Sequence, residues 1–254
     1  MIFSLTVSLL VIALTAAATC LGSLLVVGIT VVLAIITANS HRRSLASAGI
    51  RLGAEKAGRI DRIWRWSLSA IRPGEVEAYL VNSNELNAYT IGILDPKTVV
   101  VYSALARLMT DAELSFVLGH ELGHIRLGHT VLLNLMAGAS TLPGGFIVQA
   151  LLEGAFLFWR RAGEFSADRA GLLACGDVGA AVSALAKIDS PQAATAEQIR
   201  QTVAKLDAED ESVAGIASEL ISTHPMLGRR IEKLIEYART PEYARLRAAI
   251  WQAS

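Results

Sequence analysis

The chain has 254 residues, enough for one catalytic domain with an appendage and too few for two independent enzymes of ordinary size. Lys and Arg (23) balance Asp and Glu (23), so there is no basic excess of the kind that nucleic-acid phosphates demand, and nucleic acid is excluded as a partner class. Hydrophobic residues make up 53% and the mean hydropathy is +0.45, above the range usual for water-soluble domains, so part of the chain is expected in lipid.

Residues 2–38 are nearly continuous in Leu, Val, Ile, Ala and Thr, and no Asp, Glu, Lys or Arg occurs before Arg42. A membrane span takes roughly 20 apolar residues, so this run is long for one helix and short for two. The small residues around Cys20, Gly22 and Ser23 favour a turn, and the expectation is a transmembrane hairpin over 1–40. A cleaved signal peptide is disfavoured, because the start carries no positive charge and the run outlasts a signal's apolar core. Next come Arg42, Arg43, Arg51, Lys56, Arg59, Arg62, Arg65 and Arg72 against only Glu55 and Asp61. By the positive-inside rule this flank, and the domain at 41–254, is expected on the cytoplasmic side. Trp64 and Trp66 read either as core or as an interfacial anchor beside the span.

The stretch 72–102 reads as short strands, with Asp95-Pro96-Lys97 as a turn. Thr110-Asp111-Ala112-Glu113 is a capping box that starts a helix, and Leu114, Val117, Leu118, Leu122 and Ile125 continue it with helical spacing to about Gly128. On that helix His120 and His124 are four apart and share a face, the spacing that lets two imidazoles reach one zinc ion. Glu121, between them in sequence, is placed to take a proton from an attacking water. His120-Glu121-Leu122-Gly123-His124 thus matches the zincin signature. A metzincin-type third histidine is excluded, since Thr130 occupies its position; His129 misses that register by one and reads as structural, or as a cation near the helix end. The third ligand is therefore sought on a later helix, where Glu164 and Asp168 share one face: Glu164 as ligand, Asp168 as acceptor for the second ring nitrogen of a ligating histidine. Alternatively the two acids form a solvated face paired with Arg160, Arg161 or Arg169.

Residues 130–159 form a second apolar stretch, interrupted by Pro143-Gly144-Gly145 and carrying one charge, Glu153; each half suits a core or re-entrant helix better than a span. A helical insertion, partly membrane-associated, is expected there. Beyond Gly176 the chain reads as helical, with an acidic loop at 207–211. The two cysteines, Cys20 and Cys175, have no metal or redox spacing and are expected to be reduced.

Taken together, the apolar N-terminal segment, the 120–124 motif, the apolar insertion and Glu164-Phe165-Ser166-Ala167-Asp168 resemble the HtpX heat-shock protease family and its CAAX-prenyl-protease relatives, over most of the chain to about residue 235. Asn87-Ala88-Tyr89 with a strand at Thr98–Tyr102 is similar to that family's hairpin edge, and Thr223-His224-Pro225 with Arg230 to its late His-Pro motif, although Met226 stands where a second proline is usual. The resemblance implies a zincin-type (gluzincin) metallopeptidase, mainly α with a small antiparallel β-sheet (α+β), holding one Zn(2+) per chain. It further implies that Asn87 and Ala88 bind an extended polypeptide substrate by backbone pairing, and that His224 or Arg230 stabilises an oxyanion. The implied setting is the bacterial cytoplasmic membrane, multi-pass, with substrates among membrane or unfolded proteins. A zinc-holding scaffold or chaperone without turnover, and a regulatory protease with one dedicated substrate, are the alternative readings.

Overall fold

The computed structural model describes residues 2–53, 58–139, 154–189 and 227–252. The chain starts with a helix of 47 residues, α1 (Ile2–Ala48). The expected hairpin is therefore replaced by one continuous rod. It contains no proline, and Gly22 and Gly28 cost only about 1 kcal/mol each, too little to break so long an apolar run. At 1.5 Å per residue the rod is roughly 70 Å long. The part Leu24–Ala48 contains an 18-residue window of mean hydropathy 2.0, and it is the one helix among the described residues that is long and apolar enough to cross a membrane. Leu24, Leu25, Val27, Val32 and Ile36 are exposed along it, whereas Ala34, Ala38 and Leu45 are buried against the body of the protein.

A four-stranded sheet follows, built from β1 (Ile50–Arg51), β2 (Val76–Val81), β3 (Ala88–Ile91) and β4 (Lys97–Tyr102) in the order β1-β2-β4-β3. It is mixed, not antiparallel as expected: β2 and β4 run parallel, while β1–β2 and β3–β4 are antiparallel. The physical reason lies in β4, whose Thr98, Val99, Val100 and Val101 are all buried. A strand apolar on both faces belongs in the middle of a sheet, so β4 inserts between β2 and β3 and leaves β3 as the edge. Val99 and Val101 join Ala78 in the main core, while Val100 packs with Tyr79 and Leu45 of α1 on the other face.

Helix α2 (Arg59–Ile71) lies between β1 and β2; α3 (Ser103–Leu108) and α4 (Asp111–Arg126) follow β4. Trp64 is core, and Trp66 donates to the Ala174 carbonyl at 2.7 Å and packs edge-on to Trp251, which decides both tryptophans for the protein interior. After α5 (His129–Ala139) come α6 (Leu157–Cys175), α7 (Val178–Asp189), α8 (Leu227–Ala238) and α9 (Pro241–Gln252). Helices thus stand at both ends of the apolar insertion and beyond Gly176. The centre of the insertion, the acidic loop at 207–211 and His224 lie outside the described residues.

Helix α4 is the axis of the fold, packed on by α2, α6 and α7. Thr110 and Glu113 form the expected capping box, with the Thr110 amide donating to the Glu113 carboxylate at 2.7 Å. The same carboxylate receives Lys187 Nζ at 2.7 and 2.8 Å and the Ser183 hydroxyl, pinning α7 to the start of α4.

Candidate metal centre

Leu114 to Ile125 are buried almost without interruption, so His120, Glu121 and His124 sit on a helix surrounded by protein. Burying such groups is costly unless each polar atom finds a partner. The seam between α4 and α6 supplies them. Gly119 and Gly123, four apart, face Ala167, Ala170, Gly171 and Ala174 so closely that a methyl group at Gly119 would lie 2.5 Å from Ala174 Cβ and one at Gly123 2.7 Å from Ala170 Cβ. This close approach brings Glu164 and Asp168 of α6 level with the two histidines.

The Nε2 atoms of His120 and His124 are 3.1 Å apart, and the Glu164 carboxylate oxygens lie 3.6 Å from the first and 3.5 Å from the second. Donor atoms at ordinary bond lengths from one tetrahedral zinc are separated by about 3.3–3.4 Å. Three lone-pair donors converging at nearly that spacing fit a divalent cation, and among the described residues no other cluster of metal-ligating side chains does so.

Behind the donors, His120 Nδ1 is 2.9 Å from Asp168 Oδ1. Asp168 in turn accepts from Arg230 Nε at 2.8 Å and Nη2 at 2.6 Å, and Arg230 Nη1 stands 3.4 Å from Glu164. Arg230 is thus at the site, with its guanidinium engaged by the two carboxylates of α6. His124 Nδ1 lies 3.0 Å from His129 Nδ1. Sequence spacing alone missed this second contact, because His129 falls outside α4. Gly128, in the left-handed region at φ +79°, turns the chain so that α5 begins with His129 folded back on His124.

Electrostatics in the metal-free site follow from burial and these partners. Burial pushes the Glu121 carboxyl up to about 7. Burial depresses the His124 imidazole to about 3. Burial acts downward on His120 too, but its bond to Asp168 and the nearby carboxylates hold it above the ordinary value. For Glu164 and Asp168 burial acts upward and is outweighed, chiefly by Arg230, which keeps both below the usual carboxylate range. The site therefore offers a neutral imidazole and an ionised carboxylate, the forms that ligate metals.

A cleft of about 580 Å³ opens over these groups. Asn87, Ala88, Tyr89 and Thr90 of the β3 edge line one wall, with Glu121, Leu133 and Leu185 among the other residues around it. Both residues assigned to substrate pairing therefore border the same cleft as the metal-ligating cluster.

Residues 54–238 match the model of peptidase family M48. The plastoglobule-localized metallopeptidase 48 of the Arabidopsis thaliana chloroplast is 34% identical over 185 residues, 67% of this chain and 54% of its own, so the chain spans about half of that relative's length. A protease HtpX homolog from Paraburkholderia phytofirmans is 33% identical over 198 residues, 65% of this chain and 69% of its own. One from Burkholderia mallei is 30% identical over the same shares. Since the family model covers the stretch from before α2 to the end of α8, including every described helix that borders the cleft, the chain belongs to peptidase family M48.

Proposed function

We propose that this chain is a membrane-anchored zinc endopeptidase, with His120, His124 and Glu164 holding the metal and Glu121 serving as general base. The observation that carries this reading is the convergence of the two Nε2 atoms and the Glu164 carboxylate beside Glu121, beneath an open strand edge. Bound zinc would supply Lewis acidity, lowering the pKa of water and polarising the scissile carbonyl. The protein's own groups supply the rest. Glu121 accepts the proton of the attacking water and returns it to the leaving amine. Asp168 holds the His120 ring with Nε2 free of hydrogen, and Arg230 keeps Asp168 and Glu164 ionised. An extended polypeptide adds to the free edge of β3 along Asn87 and Ala88, which sets the scissile bond across the cleft. Arg230 and His224 remain the proposed oxyanion donors, Arg230 the less available because both its neighbours are carboxylates.

The anchor is α1, and the peptidase domain is 41–254. The arginine-rich flank favours the cytoplasmic face of a bacterial inner membrane, with membrane or misfolded proteins as substrates. The plastoglobule relative is named for a chloroplast compartment, so the host membrane is a separate question from the chemistry. A non-catalytic zinc scaffold would close the site with a fourth protein ligand; among the described residues the set has three donors beside Glu121, which favours turnover.

The test uses detergent-solubilised wild type and Glu121→Gln, with zinc measured by elemental analysis and cleavage of an unfolded casein-like substrate measured with and without a chelator. The expected result is about one zinc per chain in both proteins, with chelator-sensitive cleavage in the wild type only. Zinc without cleavage moves the reading to the scaffold or the single-substrate protease; absence of zinc refutes it.

A further inference from the structure

We infer that His129 is a positioning residue for the metal site: it fixes the tautomer and orientation of His124 by accepting the proton of that ligand's back nitrogen. The inference rests on the metal reading above and adds a residue to it.

The two ligand histidines are each held from behind, by different means. His120 gives its Nδ1 proton to Asp168 at 2.9 Å. Among the described residues the partner of His124 Nδ1 is not a carboxylate but the Nδ1 of His129, 3.0 Å away. Two ring nitrogens at that distance share one hydrogen. If Nε2 of His124 turns a lone pair toward a metal, its single proton sits on Nδ1, and His129 must then present a lone pair at Nδ1 and carry its own proton on Nε2. The pair fixes both tautomers without placing another charge beside Glu164, Asp168 and Arg230.

The acceptor is itself held in place. The His129 ring is buried, meets Trp159 edge-on with centroids 5.5 Å apart, and lies over Gly163, where an added methyl would touch its Nδ1 at 3.5 Å. Trp159 and Gly163 belong to α6, the helix that also carries Glu164 and Asp168. One helix therefore supplies a ligand, orients the first histidine through Asp168, and braces the residue that orients the second.

Two variants separate the hydrogen-bonding role from a packing role. His129→Phe keeps a ring against Trp159 and Gly163 but removes the acceptor; His129→Asn keeps an acceptor at the Nδ1 position and gives up the ring. Zinc affinity of the detergent-solubilised full chain is measured by competition with a chromogenic chelator, and thermal unfolding of the metal-free proteins reports on folding. The expected result is zinc binding about 10–100-fold weaker in His129→Phe and within about threefold of wild type in His129→Asn, the range seen when partners behind a metal ligand are lost. The reverse ranking, or wild-type affinity in His129→Phe, overturns the inference. Should His129→Phe not fold, His129→Asn decides alone: affinity near wild type supports the role and a tenfold loss overturns it. Wild type that binds no zinc removes the metal reading itself, which is a different failure from a wild type that binds zinc as well as His129→Phe does.

Discussion

Replacing Gly123 by alanine tests whether the α4–α6 seam sets the metal geometry. The new methyl would lie 2.7 Å from Ala170 Cβ and 3.3 Å from the Ala167 Cα, where carbon atoms in contact normally stand about 3.5–4.0 Å apart. Neither neighbour is a flexible side chain, so the helices must part by about 1 Å. Two terms then oppose each other. Alanine is a better helix former than glycine by about 1 kcal/mol, and overpacking costs about 1–3 kcal/mol, so metal-free stability falls by no more than about 2 kcal/mol. The site is far less tolerant, because Glu164 is on the displaced helix less than one turn from Ala167 and metal bonds hold only within about 0.2 Å. A misplacement of about 1 Å predicts a loss of activity on the order of 10²-fold with weaker zinc binding, while the metal-free melting temperature falls by no more than about 8 °C. The control is Gly154→Ala, where no described residue lies within 4 Å of the added methyl. Chelator competition and casein cleavage, run beside thermal unfolding, read the two effects separately. Wild-type zinc affinity and activity in Gly123→Ala would refute the claim that this seam positions the ligands.

Asp168→Asn keeps the shape but leaves Arg230 with one carboxylate, Glu164, in place of two and weakens the hold on His120, so zinc affinity should drop about 10–100-fold in a chelator competition. Ala88→Pro removes an amide on the outer edge of β3, since Asn87 beside it points its carbonyl inward to the Tyr102 amide; KM for an unfolded substrate should rise with little change in zinc content. For Glu113, burial acts upward, but the bonds from Lys187, Ser183 and the Thr110 amide hold its carboxyl below the ordinary 4.5. Its stabilising contribution is therefore present above that value and is lost as the pH falls through the lower folded-state value. Melting temperatures of wild type and Glu113→Gln should differ at pH 7 and converge in acid.

What could be read from the residues was what local rules decide. The Thr110–Glu113 box, the stop at Gly128 and the fourfold spacings of His120/His124 and Glu164/Asp168 are all properties of single helices, and each stands where it was expected. Sheet order is not local: the β3–β4 hairpin was legible from its turn, but the central place of β4 depends on α1 covering its second face. The hairpin expected near Gly22 overestimated one glycine and one serine against a long apolar run. His129 could be read as structural, but its contact with His124 could not be foreseen, because an offset of five leaves the helical face; the signal available was the Gly128-His129 pair directly at the helix stop. Gly119 and Gly123 carried a signal too, since two glycines four apart inside a helix are costly unless a neighbour needs the space.

Helix α1 and the cleft are joined by more than a tether. The last turns of α1 lie against the sheet: Leu45 is buried with Tyr79 and Val100, Arg42 faces Glu77 at 3.6 Å, and His41 Nε2 is 2.9 Å from the Tyr89 hydroxyl on the edge strand. The same helix packs along α5, whose first residue is His129. A flexible linker would raise the local concentration of membrane substrates but leave the cleft free to tumble. A helix that continues without a break into contact with both β3 and α5 fixes the cleft's height and orientation relative to the apolar segment. If the apolar part of α1 before His41 lies in a bilayer, the outer edge of β3 is held at a set distance from it, and the segment of a polypeptide presented there is chosen by depth as well as by sequence.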